Sequence, residues 1–110
     1  MAKAYWVSVY HAIHDDNKLA AYAKIAGPAV LEAGGKFLAR GTAAKAYEAG
    51  ILQRTVIIEF ESLAKAVACH ETTAYQTALK ALEGGVTRDL RIIEGVYPSV
   101  YRVRNLRRRR

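Results

Sequence analysis

The chain of 110 residues is 52% hydrophobic and carries one cysteine, Cys69, which fits one domain around a single core and excludes an intramolecular disulfide. Its net charge of +7 belongs to its end: six of the 17 basic residues, Arg102, Arg104, Arg107, Arg108, Arg109 and Arg110, follow Pro98, leaving eleven basic against ten acidic groups before it. A near-neutral body argues against a nucleic-acid-binding face, the apolar run AYWVSVY is too short to span a membrane, and the lone thiol points to a reducing, cytoplasmic setting.

In chain order, Tyr5, Val7 and Val9 alternate with Trp6, Ser8 and Tyr10, the two-residue period of a strand. HDDNKLAAYAKIAGPAVLEAGG then turns helical, with Asp15 or Asp16 as N-cap, Leu19, Tyr22, Ala23 and Ala26 on one stripe, and Gly34-Gly35 as the stop. Pro28 is expected to split this helix in two. KFLARG begins a second strand, followed by a hairpin connection with Gly50 near its tip and the strong strand TVIIEF. Ser62 can cap the next helix, whose apolar stripe is interrupted around Glu71-Thr72-Thr73 before Gly84-Gly85, and DLRIIEG is the last strand.

The order strand, helix, strand, strand, helix, strand predicts an α+β fold of ferredoxin-like βαββαβ type, an antiparallel sheet with both helices on one face. The domain is expected over residues 1–97. Residues 98–110 form an arginine-rich extension whose first half, SVYRVR, alternates like an extra strand.

Parity assigns Tyr5, Val7, Val9, Phe37, Val56, Ile58 and Phe60 to the layer beneath the helices. The opposite face then carries Trp6, Tyr10, Leu38 and Ile57, with either Ile92 or Ile93. An antiparallel sheet open to water on one side should be polar there. Greasy residues on both parities therefore predict a second copy as cover, in a homodimer with its sheets face to face.

YW in the first strand, GGKFLARG, VIIEF followed by Ser62, AYQTAL and the closing IIEG resemble, in order and spacing, the bacterial family called domain of unknown function 1330, over residues 3–97. The resemblance implies the dimeric α/β-barrel superfamily, in which two subunits form one barrel and whose members include cofactor-independent monooxygenases, lactone isomerases and proteins without known activity.

By parity Arg40 points between the two sheets with Ser8, Tyr10, Glu59 and Glu94, and a guanidinium there is expected to pair with Glu59 or Glu94. His11, at the end of the first strand, and His70, at the break in the second helix, are candidate proton carriers, with Tyr75 near the latter. Tyr10, Arg40, Glu59, Tyr75 and Glu94 are thus the candidate ligand-binding residues. His11 and His14 diverge at a strand end and gain no third ligand, so no metal site is expected. The glycine pairs close helices rather than open them, so no nucleotide cofactor is expected either. Cys69, adjacent to His70 on a helix, reads as an apolar filler.

Together these features predict a small cytoplasmic homodimer binding a small organic molecule, an anion among the candidates, in a pocket between sheet and helices. The alternative is a cofactor-independent enzyme of the monooxygenase or isomerase kind that the resemblance implies, with His11 or His70 moving a proton. A third is an assembly protein whose arginine tail meets nucleic acid.

Overall fold

Alternating side chains from Ala4 to Ile13 form the first strand, β1, and the chain reverses at Asp15. The Asp15 carboxylate accepts from the backbone N–H groups of Asn17 and Lys18 and so caps α1, Asp16–Glu32. After Gly34, whose φ of +91° suits a residue without a Cβ, come β2 (Lys36–Thr42), β3 (Arg54–Phe60), α2 (Leu63–His70), α3 (Thr73–Leu82) and β4 (Val86–Glu94). The computed structural model describes residues 2–96; the strand reading of SVYRVR and the arginine-rich extension lie outside them.

The sheet order is β2-β3-β1-β4, with every neighbouring pair antiparallel. This is the ferredoxin-like plan, with the second crossover helix broken in two. Ser62 accepts from the Lys65 N–H to start α2, and Thr72 accepts from the Tyr75 N–H to start α3, so the second cap stands where the apolar stripe lapses. No described helix is long and apolar enough to cross a membrane.

Two expectations are corrected. Pro28 lies inside α1 without dividing it: one helical hydrogen bond is forfeited, and burial of Ala26, Ala29 and Val30 keeps both halves on one axis. The parity of β1 is also the reverse of that expected. Ala4, Trp6, Ser8 and Tyr10 are the buried set, paired across to Phe60, Ile58 and Val56 beneath the helices, whereas Tyr5, Val7 and Val9 look the other way. The reason is volume. The helices offer Ala26, Ala29, Ala66 and Ala78 to the core, and such small partners leave room that an indole fills and a valine would not. Trp6 donates its indole N–H to the Ala66 carbonyl at 2.8 Å, which satisfies the polar atom its burial would otherwise strand.

The sheet's second face remains oily, with a different membership. Val7 stands between Ile57 and Arg91, Tyr5 between Glu59 and Ile93, and Val9 between Thr55 and Asp89, while Ala39 lies opposite Ile57. Ile93 is 59% exposed.

Close packing under the end of α1 provides one test of this core. A Cβ at Gly35 would lie 2.5 Å from Val30 Cγ1 and 2.9 Å from the Phe60 ring, both anchored in the core. Gly35→Ala should lose about 1–3 kcal/mol through overpacking, read as a lower urea midpoint with an unchanged slope; an unchanged midpoint would mean that this corner is loose.

Candidate functional site

Arg40 is placed by a bulge. In β2, Phe37 pairs with Ile58 and Ala39 with the adjacent Ile57, so Leu38 is an extra residue and the alternation flips after it. Phe37 and Arg40 therefore share the helix-facing side, and the Arg40 guanidinium lies 4.6 Å from the Phe37 ring centre. It does not point between two sheets as its sequence parity suggested. The expected pair with Glu59 or Glu94 does not form: Glu59 is on the open face with Lys3 at 3.8 Å and the Tyr5 hydroxyl at 3.4 Å, and Glu94 is exposed at the far end of β4.

What Arg40 meets is a small pocket between α1 and the sheet, about 40 Å³ where a water-sized molecule fits and about 430 Å³ with the open space at its mouth counted. Small roof residues create it: Ala23, Ala26 and Gly27 of α1 stand over the strands where larger ones would have closed the gap. The floor is ordered in rows by the strand register. Arg54, Tyr10 and Arg88 line up across β3, β1 and β4, one step past the Val9–Thr55 pair; Arg40, Val56, Ser8 and Leu90 follow, then Phe37, Ile58, Trp6 and Ile92. One end is thus cationic and the other apolar.

Arg88 is the centre of the cationic end. Its Nη1 donates to Ser8 Oγ (3.2 Å), Tyr10 Oη (3.0 Å) and Tyr22 Oη (3.3 Å), and its Nη2 to Tyr75 Oη (3.2 Å). Tyr22 and Tyr75 share a further hydrogen bond of 2.7 Å. Burial works against the charge, but Tyr22, Tyr75 and Tyr10 around the guanidinium outweigh it, so its pKa stands above the ordinary arginine value. Burial, with Tyr22 beside it, also raises the Tyr75 phenol above the usual tyrosine range. The cluster is a guanidinium ringed by four hydroxyls.

Arg54 adds a second charge. Its guanidinium lies 5.7 Å from the Tyr10 ring centre, with that of Arg88 at 5.4 Å from the same ring, and its Nε is buried without a hydrogen-bond partner. A shallower depression lined by Lys24, Ala20, Ala21, Ala23, Arg40 and Arg54 continues from the pocket and makes its mouth basic. Among the described residues, no carboxylate pairs with Arg40, Arg54 or Arg88.

Tyr10 and Arg40 therefore line the pocket, and Tyr75 supports it from behind through Arg88 and Tyr22. Glu59, Glu94, His11 and His70 are elsewhere. His11 Nε2 meets Asp89 Oδ2 at 3.0 Å on the exposed side, and His14 meets Thr87 Oγ1 at 2.8 Å. His70 stacks on Trp6 and Tyr75 with its Nδ1 3.3 Å from Glu71. Cys69 is buried, and burial pushes its thiol from 9.0 to about 11, which keeps it protonated and unreactive at neutral pH.

Sequence reading missed Arg88, Arg54 and Tyr22 as site residues. The last strand was expected to begin at Asp89, one residue too late to include Arg88. The signal was present in VTRDLRIIE, where Arg88 shares parity with Leu90 and Ile92 and so falls on the apolar side.

The family model described as domain of unknown function (DUF1330) matches residues 3–96. No curated protein matches the chain. Among solved structures, a protein of unknown function from Rhodopseudomonas palustris is similar at a TM-score of 0.66 and 20% identity, over 88% of this chain and 85% of that one. A protein from Nitrosomonas europaea described as a candidate antibiotic biosynthesis monooxygenase is similar at 0.57 and 18% identity, over 88% and 92%. Another with the same description from Caulobacter crescentus is similar at 0.58 and 14% identity, over 87% and 92%. These likenesses establish the ferredoxin-like fold of the monooxygenase-type neighbours and carry no activity across.

Proposed function

The chain belongs to the domain of unknown function 1330 family, and we propose that it binds a small organic anion in the pocket beneath α1 and does so as a homodimer. The observation that carries the reading is Arg88: a half-buried guanidinium given four neutral hydroxyls and no carboxylate. A protein that needed this charge only for its own stability would normally pair it, because desolvating a cation costs several kcal/mol. Left unpaired beside Arg54 and Arg40, it is a receptor for a negative charge that arrives from outside.

Binding is favoured over cofactor-independent catalysis because, among the described residues, no histidine or acidic residue lines the pocket walls, so none of them there is suited to accept a proton near neutral pH. The dimer is favoured by the oily second face of the sheet, where Val7, Ile57, Tyr5 and Ile93 lie together. The nucleic-acid reading rests on the arginine tail alone.

The test is a calorimetric titration with 3-phenylpropanoate and its uncharged amide. The carboxylate should bind and the amide should be at least about tenfold weaker, one charge-assisted hydrogen bond contributing about 1.5–3 kcal/mol. Equal affinities, or no binding of either, would contradict the reading.

A further inference from the structure

The pocket's donors come in two groups, and their arrangement narrows the kind of anion. The first is the Arg88 cluster. Ser8, Tyr10, Tyr22 and Tyr75 each carry one hydroxyl proton, and each oxygen already accepts from Arg88. Only the Tyr22–Tyr75 contact uses one of those protons. Three remain without a protein acceptor among the described residues, next to a positive charge. A hydroxyl proton enclosed without an acceptor is costly. Ser8 and Tyr10, both buried, line the pocket, as does Tyr22, one of the two partners in the remaining contact. This group can receive an oxygen that only accepts.

The second group is Arg54 with Arg40 at the mouth, where the Arg54 Nε is enclosed and unpartnered. The two groups flank one ring: the Arg54 and Arg88 guanidiniums both lie within 6 Å of the Tyr10 centroid, on strands separated by β1 alone. Beyond them, toward Phe37, Ile58 and Trp6, the floor has no polar side chain to meet a second head group. Donors for two oxygen functions are therefore crowded at one end, and the far end takes only hydrocarbon.

Resting on the anion-binding reading, we propose that the ligand is a 2-oxo acid with an apolar side chain. Its carboxylate accepts from Arg88, Tyr10 and Ser8, its 2-oxo oxygen accepts from Arg54 and Arg40, and its side chain points toward Trp6. Single-headed fatty or aryl acids leave the Arg54 Nε unmet, and dicarboxylates put a charge on the apolar end.

Phenylpyruvate and 3-phenylpropanoate differ by the 2-oxo group alone, and titrating both with succinate as a third probe tests the assignment on the intact protein. Phenylpyruvate should bind at least tenfold more tightly than 3-phenylpropanoate, with succinate weakest. Arg54→Met removes the enclosed Nε donor; it should shrink the gap between the two aryl acids severalfold. Equal binding of the two aryl acids by the wild-type protein overturns the 2-oxo assignment and leaves anion binding standing, as does succinate binding as tightly as either. If none of the three binds, the anion-binding reading itself fails.

Discussion

Arg88→Met should abolish anion binding, by on the order of a hundredfold or more, and leave the melting temperature of the free protein unchanged or higher. The two halves of this expectation have one origin. In the free protein the guanidinium is partly withdrawn from water and repaid only by neutral hydroxyls. Removing it relieves a desolvation cost, and the methionine side chain fills much of the space with a flexible, apolar chain. Tyr22 and Tyr75 keep their mutual hydrogen bond. With an anion present the balance reverses, because removing one partner of an enclosed charge pair costs about 2–5 kcal/mol. Were Arg88 a structural tie between β4, β1, α1 and α3, the same substitution would lower the melting temperature by many degrees. Differential scanning calorimetry with and without 3-phenylpropanoate separates these outcomes.

Val7→Asp is expected to split the proposed dimer into folded monomers. Val7 occupies the middle of the open sheet face, between Ile57 and Arg91 and on the side of β1 away from the helices. In a twofold assembly built on this face, both copies of the new carboxylate would enter the interface, and enclosing an unpaired charge costs several kcal/mol. A rise in the dissociation constant of on the order of a thousandfold follows, since each 1.4 kcal/mol is tenfold. In the monomer the same carboxylate is hydrated beside Arg91, so the circular dichroism should stay native. Sedimentation velocity at micromolar concentration gives the answer. A wild-type monomer would remove the dimer from the account, and a mutant dimer would move its interface elsewhere.

The order of elements, two helix caps and the lapse between α2 and α3 were legible because each depends on local chemistry: Asp15 and Ser62 are carboxylate and hydroxyl caps before apolar periodicity, and the stripe fails at Glu71-Thr72-Thr73, where Thr72 proves to cap α3. Facing was harder. Both parities of β1 are apolar, and choosing between Trp6 and Val7 requires knowing that the helices bring alanines to that layer, a property of tertiary packing. The site was half visible. Tyr10, Arg40 and Ser8 were rightly grouped, yet on the wrong side of the sheet, because a bulge at Leu38 and the reversed parity of β1 moved them together. Arg88 was hidden because the last strand was expected to start at Asp89, three residues after its observed start at Val86. The partners of Arg88 come from three elements, Ser8 and Tyr10 from β1, Tyr22 from α1 and Tyr75 from α3, and no spacing rule links the three.

The most direct measurement is a crystal structure of the protein grown with 3-phenylpropanoate. The account predicts a carboxylate within about 2.7–3.2 Å of the Arg54 or Arg88 nitrogens, with the phenyl ring turned toward Trp6 and Phe37. A pocket whose guanidiniums are instead neutralised by an aspartate or glutamate of a second copy, with no room left for a ligand, would contradict it.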